Sequence, residues 1–295
     1  MSDIGRQIKE TFKKGNTLVK LIYINVAVFI LIKFVQVLAF LFGFSGITAL
    51  LIQWLAVPSD VGTLITRPWT VFTYMFLHKG FFHILFNMLW LYVFGRIFLM
   101  YLSQKRLLSV YLVGGLAGAA LYVLAFNVFP AFSEVVSVAI ALGASASVMA
   151  IVIAISVYTP NFSINLLFFG PVKLKYIALF AIVLDVLSIA GSNSGGHIAH
   201  LGGALFGYFY IAQYRKGRNI TSGFDRIMDR FFSLFRPKPK IRVTYKNPKT
   251  DIEYNKEKVK KQEKINDILE KISKHGYDSL TKEEKEILFK AGDNN

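Results

Sequence analysis

Histidine and serine are the side chains in this sequence that could carry out nucleophilic attack and proton transfer. The chain holds five histidines and no cysteine, so a thiol nucleophile and thiolate metal sites are excluded. His83 and His200 lie in long apolar segments, where an ionisable group is energetically costly and therefore indicates function. Ser145 opens another apolar segment. Because serine is a poor nucleophile until a base accepts its proton, this set predicts a serine nucleophile with a histidine base.

Further residues could complete such a site. His83 and Asn87 are four residues apart, hence on one helix face, and could aim two hydrogen-bond donors at one point. Ser145 stands at a predicted helix N-terminus, where free backbone amides and positive potential suit an oxyanion. Gly203 and Gly207 form a GxxxG pair, which lets two helices touch backbone to backbone. If that contact is with the helix of Ser145, His200 comes within hydrogen-bond reach of the serine.

The elements that must position these groups are apolar helices. Hydrophobic residues make up 54% of the chain and the mean hydropathy is +0.47, which predicts a membrane-embedded bundle rather than a soluble core. Several apolar runs approach the roughly 20 residues that cross a hydrocarbon core. An uncharged stretch in the first long connection, Ile47–Ala56, is predicted to be an interfacial helix. The six predicted spans are 18–43, 82–101, 106–128, 144–159, 172–191 and 197–214.

The net charge of +16 is concentrated next to the last span. From Arg215 to Lys261 there are 15 Lys or Arg and five acidic residues, a contribution of +10. A basic stretch at this position indicates topology and lipid-headgroup contact rather than nucleic-acid binding. Basic residues also flank the N-terminal side of the first span and the connections after spans two and four. The alternation predicts that both termini are cytoplasmic.

The region after the last span contains two helical patterns. Phe224, Ile227, Met228, Phe231 and Phe235 recur at helical spacing, as expected either for a helix on the cytoplasmic leaflet or for a helix packed under the bundle. Farther on, Gly276 is a plausible helix C-cap, and Thr281 with Glu284 forms a capping-box pattern. These signals predict a small cytosolic helical hairpin, and the sequence does not identify its partner.

Three motifs in chain order carry a resemblance to a known family. They are HxxxxHxxxN from His78 to Asn87, GxSx from Gly143 to Ala146, and HxGGxxxG from His200 to Gly207. On these motifs, residues 18–214 resemble the core of the rhomboid intramembrane serine proteases. The resemblance implies an all-α membrane protein with a six-transmembrane-helix rhomboid-like bundle, here followed by a small cytosolic C-terminal helical extension.

The resemblance also implies a reaction and its residues. Ser145 would be the nucleophile and His200 the general base, then the general acid, in a dyad without an aspartate. His83 and Asn87 would stabilise the oxyanion, helped by backbone N–H groups near Ser145, and Gly143 would shape the loop before the nucleophile. His197 is assigned a supporting role. No metal and no cofactor is expected.

The predicted organisation has four parts. They are a cytosolic arm (1–17), the membrane domain (18–214), a basic juxtamembrane helix with a linker (215–254) and the cytosolic hairpin (255–295). The predicted partners are the lipid bilayer and transmembrane protein substrates that enter laterally between helices. The short connections suggest a bacterial plasma membrane.

The sequence leaves two competing functions possible, and it leaves the roles of two residues undecided. A catalytically inactive rhomboid-like scaffold would bind membrane clients without cutting them, and a metal or proton transporter would use the clustered histidines. Asp185 could polarise His197 or His200 as a third member, or sit protonated in a helix contact; we favour the second, because burial disfavours a charged carboxylate. Lys33 in the first span is not explained by the sequence; it could extend its amine to the membrane interface or face a water-filled cavity.

Overall fold

The computed structural model describes residues 15–44, 46–166, 168–233 and 251–292. The chain divides into two compact units, Met1–Phe235 and Arg236–Asn295. Most of the predicted N-terminal arm and most of the predicted linker lie outside the described residues.

The first unit is a helical bundle with apolar helices. By length and composition, three of its described helices could cross a membrane, Thr17–Leu41, Phe81–Tyr101 and Gln104–Val128, and Ser145–Tyr158 is a shorter apolar helix. Each of the six predicted spans overlaps one helix. The helices are α1 Thr17–Leu41, α2 Ile47–Leu55, α3 Val61–Thr66, α4 Thr70–Thr73, α5 Phe81–Tyr101, α6 Gln104–Val128, α7 Ser145–Tyr158, α8 Leu174–Leu187, α9 Ser194–Arg215 and α10 Ser222–Ser233.

Helix α7 lies at the centre of this bundle. It packs against α5, α6, α8 and α9, and ten of its 14 residues are buried. A helix of this length rises about 21 Å, which is shorter than the roughly 30 Å hydrocarbon core of a bilayer. A central helix this short cannot reach both membrane surfaces, so a residue at its end can lie below the surface, surrounded by protein.

Glycines of α9 make the closest contact with α7. A Cβ atom at Gly203 would overlap the carbonyl oxygen of Ala146, and one at Gly207 would overlap the carbonyl oxygen of Ala150. Only glycine allows this approach of backbone to backbone. The predicted seam between the GxxxG pair and the fourth apolar segment is thereby confirmed.

The long connection between α1 and α5 is folded against the bundle. Residues 47–55 form the helix expected there. The Arg67 guanidinium lies 4.6 Å from the ring centroid of Trp54 and donates to the carbonyl of Gln53 at 3.0 Å. Trp69 stacks on Trp54 and donates from Nε1 to its carbonyl at 2.9 Å. Arg67 therefore anchors this loop through Gln53 and Trp54.

Two short antiparallel strand pairs tie the connections together. Strand β1, Val57–Pro58, pairs with β2, Ile140–Ala141, which leads directly into the loop before α7. Strands β3, Ser163–Leu166, and β4, Gly170–Lys173, form a hairpin between α7 and α8.

Helix α10 packs under the bundle, the second of the two arrangements left open by its sequence. Phe224 and Met228 contact the core of the bundle, and Asp229 pairs with Lys105 at 2.5 Å. Ile227 and Phe231 are exposed on the other side. Part of the apolar stripe of this helix therefore contacts the bundle, and part of it is exposed.

The second unit contains two long helices, α11, Asp251–His275, and α12, Lys282–Gly292, in the region for which a helical hairpin was predicted (255–295). Gly276 ends α11 with φ +78°, a conformation that favours glycine. Thr281 N–H donates to the Glu284 carboxylate at 2.7 Å, and Glu284 N–H donates to Thr281 Oγ1 at 3.3 Å, which confirms the capping box.

Candidate active site

A cavity of about 530 Å³ opens among α5, α7, α8 and α9. Five of the six predicted site residues line it, although they come from three helices far apart in sequence. The lining comprises Phe82, His83, Phe86, Asn87, Trp90, Ser145, Val148, Met149, Val152, Phe180, Ala181, Leu184, Asp185, Ser188, His197 and His200.

Ser145 is the first residue of α7, held by a buried loop. The preceding residue, Ala144, is fully buried, and the Gly143 N–H donates to the Tyr74 carbonyl at 2.9 Å. Amides in the first turn of a helix have no intrahelical acceptor, so backbone N–H groups are available beside the Ser145 hydroxyl.

Gly143 closes the gap between the serine and α5. Its φ of +137° is a conformation that side chains rarely adopt. A Cβ atom there would lie 3.0 Å from the His83 ring and 3.4 Å from Ser145 Oγ. The sixth predicted residue is thus in contact with the site, and its lack of a side chain leaves room for His83 next to the serine.

His83 and Asn87 lie one turn apart on α5, facing the cavity. The Asn87 side-chain amide donates one hydrogen bond to the His83 carbonyl at 2.8 Å, which fixes its orientation and leaves its second N–H available. The ring of His78, in the loop before α5, lies 5.1 Å from the His83 ring, centroid to centroid. Burial, and then the proximity of His83, lowers the pKa of His78 to about 4, so this imidazole is neutral at pH 7.

Asp185 joins the two histidines of α9. Its Oδ1 atom lies 2.8 Å from Nδ1 of His197 and 2.8 Å from Nδ1 of His200. The carboxyl group contacts both imidazoles, which is the arrangement of the alternative that was not favoured, in which Asp185 is a partner of the histidines. Residues three apart on a helix are neighbours, so both rings can reach one acceptor on α8. The rotation of α8 that presents Asp185 to α9 has no signature in the sequence.

These three side chains are also of types that bind metals. Their ligand atoms lie within 4.8 Å of one another, but 2.8 Å between nitrogen and oxygen is the length of a hydrogen bond. Lys33, by contrast, is not one of the residues that line the cavity, and it donates to Gln36 at 3.0 Å.

Sequence reasoning missed the apolar wall of the cavity. Phe82, Phe86 and Trp90 of α5 recur every four residues and face Phe180 and Leu184 of α8 across the lining. The four-residue spacing was visible, but in a membrane helix apolar residues occupy every face and do not single out one.

Comparisons with known proteins agree with the motifs. The rhomboid domain matches residues 66–217, slightly more than half of the chain, and a family of unknown function, DUF6576, matches residues 249–290. RHOMBOID-like protein 12, mitochondrial, of Arabidopsis thaliana is 34% identical over 158 residues, which is 50% of this chain and 47% of that protein. Presenilin-associated rhomboid-like protein A, mitochondrial, of Danio rerio is 30% identical over 141 residues, 46% of this chain and 35% of that protein.

Both matches cover only part of each relative. In both cases the chain spans less than half of the relative's own length. Both relatives are named as mitochondrial, so the comparisons give no support to the bacterial plasma membrane predicted from the short connections.

Proposed function

This chain belongs to the rhomboid family, and from that premise we propose that it is an intramembrane serine endopeptidase. It would hydrolyse peptide bonds in or near the transmembrane segments of membrane proteins, through a Ser145–His200 dyad with His83 and Asn87 as oxyanion donors. The observation that carries the proposal is that Ser145, His200, His83 and Asn87 line one cavity.

The packing of α7 on α9 supports the dyad. The backbone contact between Gly203 and Ala146 lies one residue from Ser145 and three from His200, hence within one helical turn of both. Contact at that point limits the distance over which the serine proton must travel. Because the cavity is lined mainly by apolar side chains, electrostatic interactions inside it are stronger than in water.

The proposed reaction has two halves. His200 Nε2 accepts the Ser145 Oγ proton while Oγ bonds to the peptide carbonyl carbon, and the carbonyl electrons move onto the oxygen. His83, Asn87 and first-turn amides of α7 stabilise that oxyanion. The imidazolium then donates its proton to the leaving nitrogen as the C–N bond breaks. Water, deprotonated by His200, attacks the acyl-enzyme, and the proton returns to Ser145 Oγ as the ester bond breaks.

The substrates follow from the shape of the site. The wall formed by Phe82, Phe86, Trp90, Phe180 and Leu184 suits an apolar polypeptide segment rather than a soluble polar one. We propose that six spans cross the bilayer with both termini on the cytoplasmic side, because the basic residues cluster there. The bacterial plasma membrane stays part of this proposal, on the shortness of the connections alone.

Cleavage of a generic transmembrane reporter in proteoliposomes tests the function. Ser145→Ala and His200→Ala should each abolish cleavage. Ser147→Ala is the matched control: Ser147 is a buried serine two residues along the same helix and outside the cavity lining, so its removal should leave the rate within about threefold. Full activity in Ser145→Ala protein would exclude the assignment.

The same variants separate an enzyme from an inactive scaffold. A scaffold would retain a transmembrane client equally in wild-type and Ser145→Ala protein and would release no fragment from either. The proposed enzyme should release fragments as wild type and accumulate uncut client only as Ser145→Ala.

A further inference from the structure

We propose that Asp185 is a positioning residue, which holds His200 in the tautomer that proton transfer from Ser145 requires and shares its carboxylate with His197. The inference deepens the proposed function and rests on it. It departs from the dyad that the family resemblance implies, because it adds a third and a fourth side chain to the array.

One oxygen serves both histidines: Asp185 Oδ1 lies 2.8 Å from Nδ1 of His197 and 2.8 Å from Nδ1 of His200. A carboxylate oxygen has lone pairs enough to accept an N–H from each ring. In the proposed arrangement Asp185 is a carboxylate that accepts Nδ1–H from His197 and Nδ1–H from His200. Asp185 is 5% exposed, and its Oδ2 atom has no hydrogen-bond partner among the described residues, so the two contacts at Oδ1 are the hydrogen bonds that hold the carboxyl group in place.

The position of Asp185 on α8 is unfavourable for the helix itself. The residue lies in the last turn before Leu187, where the helix dipole disfavours negative charge. Its side chain is removed from solvent, which disfavours the charge further. Violations of local preferences of this kind are expected at functional sites, and the two imidazoles are the partners that compensate for them.

The consequence for His200 follows from the chemistry of imidazole. When Nδ1 carries the hydrogen, Nε2 presents a lone pair, and this is the nitrogen left to accept the Ser145 proton. The opposite tautomer would present N–H to the serine and could not act as a base. During the transfer the proton passes from Oγ to Nε2, the Nδ1–H stays on His200, and the carboxylate remains ionised beside the imidazolium.

His197 has a distinct part in this array. It donates to the same oxygen from the preceding turn of α9, so it fixes the direction of the carboxylate. It is therefore a second positioning residue, and its loss should cost less than the loss of Asp185.

Kinetics of matched variants test the role. Asp185→Asn keeps the size of the side chain and removes its charge, and should lower kcat by about 10²- to 10⁴-fold with KM within about twofold. Asp185→Glu, which restores the charge at a longer reach, should recover part of kcat. His197→Gln should retain kcat within about tenfold. Asp185→Asn protein with kcat within about threefold of wild type, or with the loss confined to KM, would overturn the proposal.

A spectroscopic test requires no substrate. ¹⁵N-histidine NMR of Ser145→Ala protein, with the His200 signals assigned by comparison with a His200→Gln variant, should show Nδ1 of His200 protonated and Nε2 unprotonated. The added Asp185→Asn substitution should move His200 toward the Nε2–H tautomer. An Nε2–H tautomer in the parent protein would overturn the inference. The two proposals can therefore fail separately. If the tautomer is as proposed but wild-type protein cuts no reporter, the proposed function is wrong, whereas the assignment of Asp185 as the group that sets the tautomer stands.

Discussion

Adding one methyl group at Gly203 tests whether the contact between α7 and α9 positions the reacting groups. In Gly203→Ala protein, the new Cβ would lie 2.8 Å from the carbonyl carbon and 3.2 Å from the Cα of Ala146. The first distance is about 0.7 Å less than the roughly 3.5 Å at which carbon atoms pack. The obstacle is backbone and cannot rotate away, so α9 must shift relative to α7.

Two consequences should be measurable. Overpacking of this kind costs about 1–3 kcal/mol, offset by up to about 1 kcal/mol from the higher helix propensity of alanine, so we expect a net loss of roughly 1–2 kcal/mol in the free energy of unfolding. A displacement approaching 1 Å between a nucleophile and its base can lower the rate by up to about 10²-fold, and we expect a loss of roughly tenfold or more.

Two other helical glycines serve as controls for this substitution. A Cβ at Gly95 would meet the side chain of Leu18 at 2.6 Å, which can rearrange, and Gly223 has no atom within 4 Å of such a Cβ. Unfolding midpoints in detergent and initial cleavage rates in proteoliposomes should rank Gly223→Ala nearest to wild type, Gly95→Ala next and Gly203→Ala last. Equal rates and midpoints for Gly203→Ala and Gly223→Ala would refute the reasoning.

Two further predictions concern the loop before α5 and the C-terminal hairpin. The pKa of His78 in the folded protein is about 4, against 6.5 for an unperturbed histidine. The free energy of unfolding should therefore fall by on the order of 1–3 kcal/mol as pH drops from about 6.5 to 4. This dependence on pH should be weaker in His78→Gln protein, and an unchanged dependence would contradict the prediction. Hydrogen bonds from Thr281, then Lys271, lower the pKa of the Glu284 carboxyl. Protonation of this carboxyl at low pH should therefore weaken the helix N-terminus. Amide exchange in α12, corrected for intrinsic rates, should accelerate as pH falls through the ordinary range of glutamate pKa values and below it. Thr281→Ala should accelerate that exchange several-fold even at pH 7, and protection equal to wild type would show that the capping box contributes nothing.

Much of the fold was predictable because the membrane helices of a protein coincide with long apolar segments of its sequence. The predicted ends of α5 and α6 differ from the observed ones by at most two residues, since charged or polar residues follow or precede the apolar runs. The capping box of Thr281 and Glu284 was equally visible, because its hydrogen bonds join residues three positions apart.

The cavity was predictable to the extent that short motifs define it. His83 and Asn87 share a face by helical period alone, and the glycine pair of α9 predicted a close helix contact. What the sequence could not give is the rotation of each helix about its own axis. Asp185 illustrates this limit. The sequence shows an acidic residue in an apolar segment, where it is energetically unfavourable, but only the packing of α8 on α9 places its carboxyl group between His197 and His200.

The most direct test of the central claim is to map where a serine-reactive fluorophosphonate attaches. After labelling in proteoliposomes, peptide mass spectrometry should locate a single adduct, on Ser145, and labelling should be lost in His200→Ala protein, because the hydroxyl then has no base. An adduct on any other serine, or undiminished labelling of Ser145 without His200, would contradict the account.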